Sequence, residues 1–379
     1  MINKSEFSLI VVGSGFTGMT VAFNFAEKTN KKVLVVERRS HIGGNSYSYK
    51  DDKTGIEIHK YGTHLFHTSN ENVYGFLRNF TEFNDYRHTV KTVFNGKAFS
   101  FPINLLTFSE FFGKHFSPED AKEFIKLNVI KTIEPSNFEE KALSEVGPEL
   151  YSAFYKGYTQ KQWQVNPKEL PIEIFSRIPI RFNFNDRYFN DKYEGIPVNG
   201  YGKIFEAMAS HPKIRVVTDY DYFSATTQLN SNQVLFYTGA IDRYFDFKYG
   251  DLNWRTLDFE WETLPIEDFQ GASVINYADL STPWTRIHEF KHLTPEHKNI
   301  SGTVIAKEFS RLALAEDEPY YPVNTTNDRQ ILKKYRELTT KEKNVFFGGR
   351  LGRYQYLDMH MAIASGLNLS EEVISMFSA

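Results

Sequence analysis

Short apolar runs alternate with longer amphipathic stretches along this chain. SLIVV (residues 8–12) is followed by Gly13-Ser14-Gly15-Phe16-Thr17-Gly18 and then by MTVAFNFAEKT at helical spacing, which predicts strand, glycine turn and helix. A second apolar run, KKVLVVE, ends at Glu37, 19 residues after Gly18. Residues 104–165 predict helices. SPEDAKEFIKL carries Ser117 as N-cap, Pro118 at the first helical position and Asp120 three residues on; Asn137 and Glu140 repeat the signal, and Gly147-Pro148 ends one helix and starts another. On that next helix Tyr151, Phe154, Tyr155 and Tyr158 share one face, which is either a core stripe or a wall for a flat base. Residues 176–198, 250–278 and 302–323 alternate aromatic and polar positions as antiparallel strands do.

The glycines make mechanical sense between a strand and a helix. Gly13 makes the turn, Gly15 lets backbone approach a pyrophosphate at the helix N-terminus, and Gly18 permits close packing of helix on strand. An acidic side chain at Glu37 can accept hydrogen bonds from an adenosine ribose. After it comes RRSHIGGNSYS, where Gly43-Gly44 allow backbone to pass close to a second part of the ligand. A C-terminal echo, NVFFGGRLGRYQYLDM, gives a strand, Gly348-Gly349-Arg350 and a helix opening near Asp358-Met359, whose N–H groups and dipole would face a flavin ring. This arrangement resembles FAD-binding proteins of the glutathione reductase and amine oxidase type. No second GxGxxG for NAD(P)H is present, so any reductant comes from outside.

Composition narrows the classes. A chain of 379 residues can hold two or three domains, and 44 basic against 47 acidic residues, without a charge block, argue against nucleic acid or membrane surface as partner. The absence of cysteine excludes disulfides, thiolate metal sites and Cys nucleophiles. The apolar run before Gly13 is too short for a signal core or a membrane span, so a soluble cytoplasmic protein is expected. HKYGTHLFHT puts His59, His64 and His67 within nine positions, either metal ligands or packing and pocket residues. Arginines punctuate the strand-like stretches at Arg177, Arg181, Arg255 and Arg286; two prolines bracket Arg177, in the manner of a loop that closes on a phosphate.

VVGSGFTG, HIGGNSY, YGTHLFHT, FPIN, KGYTQKQW, SRIPIRFN, RTLDFE, TRIHE, PYYPV and GRLGRYQYLDM, in that order, resemble the prokaryotic UDP-galactopyranose mutases along essentially the whole chain. The resemblance implies an α/β fold: a Rossmann-type FAD-binding domain from residues 1–78, 196–248 and 324–379, an inserted helical bundle over 103–162, and a twisted antiparallel sheet from 79–102, 163–195 and 249–323. It implies FAD held by the glycine turn (Gly13, Ser14, Gly15, Phe16, Thr17, Gly18), by Glu37, Arg38, Gly43, Gly44 and Asn45, by Tyr61, Gly62, Thr63 and His64, and by Gly349, Arg350, Tyr356, Asp358 and Met359. For substrate it implies Phe154, Tyr158, Thr159 and Trp163 at the nucleobase, Asn276 near the ribose, Arg177 and Arg286 on the diphosphate with Tyr188, Tyr321 and Tyr356, and Phe189 at the sugar. Arg177, Arg286 and His64 would serve the chemistry, with no metal; His59 and His67 would be structural. In the family, N5 of reduced FAD attacks the anomeric carbon, the diphosphate leaves, and the sugar recloses as the other ring.

Gln164, Trp284, His88-Thr89 and Thr63 depart from the family's commonest pattern near the expected ligand. UDP-galactose therefore ranks first as substrate and dTDP-fucose second, with UDP-N-acetylgalactosamine behind. An amine-oxidase-like oxidoreductase is the alternative of another class. An external electron donor, a homodimer and a role in cell-surface polysaccharide synthesis complete what the resemblance implies.

Overall fold

The computed structural model describes residues 4–377 except 178, 225–228 and 231, and leaves undescribed the side chains of 176 and 177. Two sheets organise the chain. The first is parallel, with strands in the order Val345–Phe347, Val234–Tyr237, Leu9–Val12, Val33–Val36 and Ile214–Val217. Its central strands are buried but for a partly exposed Val12, which is why they read as unbroken apolar runs rather than as alternation. The helices Phe16–Thr29, Gly200–Ala209 and Met359–Ser375 cover it, sharing one core with Leu9, Val11, Phe25, Phe205 and Ile363.

The second sheet has seven strands, ordered Tyr321–Pro322, Trp254–Leu264, Thr303–Leu312, Arg286–Glu289, Val274–Tyr277, Val90–Phe94 and Lys97–Phe101. All neighbours are antiparallel except Val274–Tyr277 with Val90–Phe94. Its register sets Phe259, Glu308, Arg286, Asn276 and Thr92 opposite one another across five strands, so their side chains share one face.

Helices Leu105–Phe112, Pro118–Asn128, Phe138–Leu150 and Gly157–Trp163 form the bundle, the last joined through a π-helical turn at Tyr151–Lys156. Ser117 and Asp120 make a reciprocal capping box, while Asn137 caps Glu140 N–H but Glu140 reaches back to Ser136 instead. Gly147 breaks the helix at φ +77°. Among the described residues no helix is long and apolar enough to cross a membrane.

Two expectations need correction. Among the described residues, 176–198 contribute no strand to the seven-stranded sheet: Tyr193–Gly195 alone is extended in a ladder, paired with Phe66–Thr68. Asn183 and Asn185 there accept from the backbone N–H groups of Asn185 (2.9 Å) and Arg187 (3.1 Å), turning the chain where a strand would run on. The aromatic face of the bundle is mostly core: Tyr151, Phe154 and Tyr155 are buried, with Phe154 packed against Phe94, Phe99 and Phe111, so it offers no open ring to a base.

Candidate active site

The carboxyl ends of the parallel strands open into a cavity of about 560 Å³. Gly13, Gly15, Phe16, Thr17, Gly18, Glu37, Arg38, Gly44, Asn45, His64, Gly349, Arg350 and Met359 line it. The turn has no room for side chains: a Cβ on Gly13, at φ +97°, would lie 2.1 Å from Thr238 Oγ1, and one on Gly18 would lie 2.1 Å from the carbonyl oxygen of Gly13. Backbone and helix N-terminus are therefore what this wall presents, as a pyrophosphate requires. Ser14 sits behind the wall, donating its N–H (2.9 Å) and hydroxyl (2.7 Å) to Glu37, which also accepts the Arg39 N–H (3.0 Å). Gly43 also stands behind, against Phe205.

At the far end the cavity is lined by Tyr220, Asp221, Tyr222, Phe223, Thr238 and Arg243. These residues escaped the sequence reading. Their signal was the position of an aromatic run just past Ile214–Val217, usable only once strand order is known.

Arg350 donates to the carbonyls of Tyr320 (2.9 Å) and Leu357 (2.7 Å) and lies over the rings of Tyr321 and Tyr356, themselves stacked at 5.6 Å. It thereby pins the segment that leads through Asp358, at the N-cap, into the helix Met359–Ser375. Tyr61 joins Arg39, His41 and Tyr320 beside the cavity, with Arg39 held by Glu318 at 2.8 Å.

The three clustered imidazoles diverge. His59 Nδ1 accepts the backbone N–H of His64 (3.0 Å), His64 Nδ1 donates to the Gly62 carbonyl (2.7 Å), and His67 Nδ1 meets Asp191 (2.7 Å). Burial pushes His64 down to about 4, so it is neutral and its basic nitrogen is Nε2. Among the described residues the group whose ligand atoms converge is Asp268, Glu289 and His292, where His292 Nε2 lies 3.3 Å from each carboxylate and hydrogen bonding accounts for the arrangement.

Arg286 stands on the shared face of the seven-stranded sheet. Its Nη2 donates to Tyr158 Oη (2.6 Å), and its Nε lies 3.0 Å from Glu308 Oε1 as an ion pair. Burial works against the charge of Glu308, but Arg286, His288 and Thr285 outweigh it and hold the carboxyl below the usual carboxylate range. Burial raises the Tyr158 phenol, which keeps its proton; since that oxygen accepts from Arg286, the proton is left to donate to an anionic ligand. Asn276 is the cross-strand partner of Arg286, and Tyr321 that of Arg255. Phe189 stacks on His67 at 3.6 Å and adjoins Tyr188 and His88. Burial drives His88 down to about 3, and its Nδ1 is taken by Tyr86 Oη at 2.9 Å.

Trp163 ends its helix half-buried, followed by Gln164 in the left-handed region at φ +51°. Gln164 Oε1 accepts from Arg255 Nη1 (3.3 Å), and Arg255 Nη2 donates to Ser310 Oγ (3.0 Å). Arg255 is 1% exposed, and burial lowers it to about 10. Lys161, also missed from sequence, ties this helix to residues 277–284 through the carbonyls of Tyr277 (2.7 Å), Thr282 (2.9 Å) and Trp284 (2.9 Å). Thr159 is buried. Trp284 is a further correction: its ring lies with Tyr277 and Phe309 under Lys307, on the sheet face opposite Arg286, because it sits two positions before Arg286 but beyond the strand's end. The side chain of Arg177 lies outside the described residues.

Comparison with known proteins agrees with this geometry. The chain matches the UDP-galactopyranose mutase family model over residues 153–356 and an NAD(P)-binding Rossmann-like domain over residues 11–80. It is 42% identical over 376 residues, 99% of this chain and 96% of the relative, to a probable UDP-galactopyranose mutase of Klebsiella pneumoniae. It is 41% identical over 370 residues, 96% of this chain and 97% of the relative, to a dTDP-fucopyranose mutase of Escherichia coli. A crystal structure of reduced UDP-galactopyranose mutase shares the fold, with a TM-score of 0.74 at 16% identity over 98% of this chain and 95% of that one. With a glycine-walled cleft beside a sheet face on which a partly buried arginine pairs with a carboxylate, and with similarity to curated mutases along its whole length, the chain belongs to the UDP-galactopyranose mutase family.

Proposed function

We propose that this protein interconverts the pyranose and furanose forms of a nucleotide-linked galactose-type sugar, UDP-galactose before others, with FAD bound in the cleft and active when reduced. The observation that carries it is the pairing of Arg286 with Glu308 on a face that adjoins the cofactor cleft: a Cβ on Gly62 would stand 3.5 Å from Glu308, and Gly62 is two residues from His64 in the cleft wall. An organised cation belongs there if a diphosphate must leave and return beside the cofactor. Reduced FAD, when bound, supplies the electron-rich centre that takes the anomeric carbon, so the overall conversion consumes no reductant.

The chain's own residues then have distinct tasks. Arg286 and the Tyr158 hydroxyl receive the developing diphosphate charge, with Tyr188, Tyr321 and Tyr356 as further O–H donors. Arg177 arrives from its loop and excludes water. His64, neutral at physiological pH, offers Nε2 as an acceptor at the flavin side. Trp163 stacks on the base, and Asn276 reaches the ribose. Anaerobic turnover after photoreduction tests this: furanose product without net use of reductant supports it, whereas reductant consumed in proportion to product points to an oxidoreductase.

A second substrate, dTDP-fucopyranose, is favoured by the sugar edge. His88 there is neutral with Nδ1 already engaged by Tyr86, and Phe189 presents an apolar ring that suits the 6-methyl of a deoxy sugar. Nucleobase choice should depend on Gln164. Replacing it by glycine relieves a left-handed conformation costing about 1–2 kcal/mol, but removes the acceptor of a buried guanidinium, a loss of about 1–3 kcal/mol. Gln164→Gly is therefore expected to change thermal stability little while altering the ratio of kcat/KM for UDP- and dTDP-linked forms of one sugar. An unchanged ratio would remove Gln164 from the base pocket.

FAD should remain bound through gentle purification and survive chelators. A preparation that is colourless, or that loses activity only with a chelator, would contradict the assignment of the cleft.

A further inference from the structure

We propose that Thr63 and His288 are positioning residues for Arg286, acting through Glu308 in a chain of hydrogen bonds that ends in the Glu308–Arg286 ion pair, beneath the flavin-side turn. The proposal rests on the mutase reading, in which Arg286 meets the diphosphate.

Thr63 Oγ1 lies 2.8 Å and Thr63 N lies 3.4 Å from His288 Nδ1; His288 Nε2 lies 3.0 Å from Glu308 Oε2; Glu308 Oε1 lies 3.0 Å from Arg286 Nε; and Arg286 Nη2 reaches Tyr158 at 2.6 Å. A backbone N–H can only donate, so Nδ1 is the acceptor and the threonine hydroxyl donates to it as well. The proton of the neutral ring then sits on Nε2 and points at Glu308. Glu308 Oε2 is thereby committed to His288, and Oε1 to Arg286 and to the Thr285 hydroxyl, which donates to it at 3.1 Å, so both carboxylate oxygens are engaged and the carboxylate is held against Arg286. His288 and Glu308 are buried, so no water substitutes for either.

The same bonds fix the charge count. Arg286 and Glu308 cancel if His288 is neutral, and protonating His288 would leave two cations against one anion. The charged groups that face His288 are Glu308 and Arg286 from its own sheet; His59 and His64 from the flavin-side turn, and His88 from the segment before Val90–Phe94, add further imidazoles nearby. Burial and Arg286 favour neutral His288 while Glu308 favours its cation, and the donors from Thr63 add weight to the neutral form by occupying the nitrogen that would take the proton.

Thr63→Val keeps the shape and removes the hydroxyl. It is expected to lower kcat about fivefold to tenfold, the value of roughly one hydrogen bond, with KM within about twofold. The acid limb of the kcat–pH profile should move to higher pH, because His288 protonates more readily without its donor, and Thr63→Ser should restore both. Histidine 15N spectra give a readout independent of turnover: wild type should show His288 as the Nε2–H tautomer at neutral pH, and Thr63→Val should weaken that preference. Wild-type kcat and pH profile in Thr63→Val, or equal losses in Thr63→Ser, would overturn the proposal, as would an Nδ1–H or doubly protonated His288 in wild type. If wild type converts no nucleotide sugar while the tautomer behaves as described, the mutase reading fails and the hydrogen-bonded chain stands.

Discussion

Arg286→Ala is expected to lower kcat between about 30-fold and several thousand-fold, corresponding to roughly 2–5 kcal/mol for one partner of a desolvated charge pair. The guanidinium is already aimed before any ligand arrives: it stands on a strand bonded on both sides, between Tyr158 at 2.6 Å and Glu308 at 3.0 Å, with only 28% of its side chain exposed. No reorganisation is then needed as negative charge grows on the leaving diphosphate, which is why the loss should fall on kcat. Truncation also strands the Glu308 carboxylate in the interior, so the variant should melt earlier. Arg286→Lys separates the two effects. A lysine keeps a positive charge near Glu308 and should recover much of the stability, but it lacks the planar fork that serves Glu308 and Tyr158 together and should recover little of kcat. Flavin absorbance should persist in both, since Arg286 does not line the dinucleotide cleft. Near-normal kcat in Arg286→Ala with every nucleotide sugar that wild type accepts would remove the diphosphate from this face.

What the sequence disclosed depended on how local each signal is. The Gly13 to Gly18 turn, the Ser117–Asp120 box and the break at Gly147 each depend on residues close in the chain or on one strand–helix unit, and each is found at its expected residues. Helical spacing could group Tyr151, Phe154, Tyr155 and Tyr158 but could not say which way the group faced; only Tyr158 meets Arg286, since the others fill the bundle core. The Tyr220–Phe223 wall depends on Ile214–Val217 being an edge strand beside Val33–Val36, a pairing between segments far apart in the chain, with the whole helical bundle between them. Glu308 was invisible for the same reason. Nothing in AKEFS marks a catalytic neighbourhood, and its importance comes from a register that sets it opposite Arg286 and within reach of His288. Arginine positions were legible as candidates; the carboxylate that organises one of them was not.

Glu308→Gln should therefore be among the most damaging single changes away from the cofactor. The amide can still accept from His288 with its oxygen, but its NH2 then faces the Arg286 guanidinium, donor against donor, and a partly buried cation loses its counter-charge. Breaking a buried pair from one side costs about 3–5 kcal/mol, enough to shift the denaturation midpoint and to misplace the guanidinium proposed to meet the diphosphate. The effect has a pH signature. Glu308 is held below its ordinary 4.5 in the folded protein, with Arg286 and His288 overcoming the penalty of burial. The stability it contributes is thus fully present above that ordinary value and is lost as pH falls through the lower folded one. Wild type and Glu308→Gln should differ most at neutral pH, and the gap should close progressively below about pH 4.5 as wild type takes up the proton that the glutamine side chain mimics. Denaturant midpoints for the two proteins at neutral and acidic pH, with kcat at neutral pH, measure both parts. A difference that stays constant across the acid range, or a variant as stable and as active as wild type at neutral pH, would show that Glu308 is not the counter-charge that fixes Arg286.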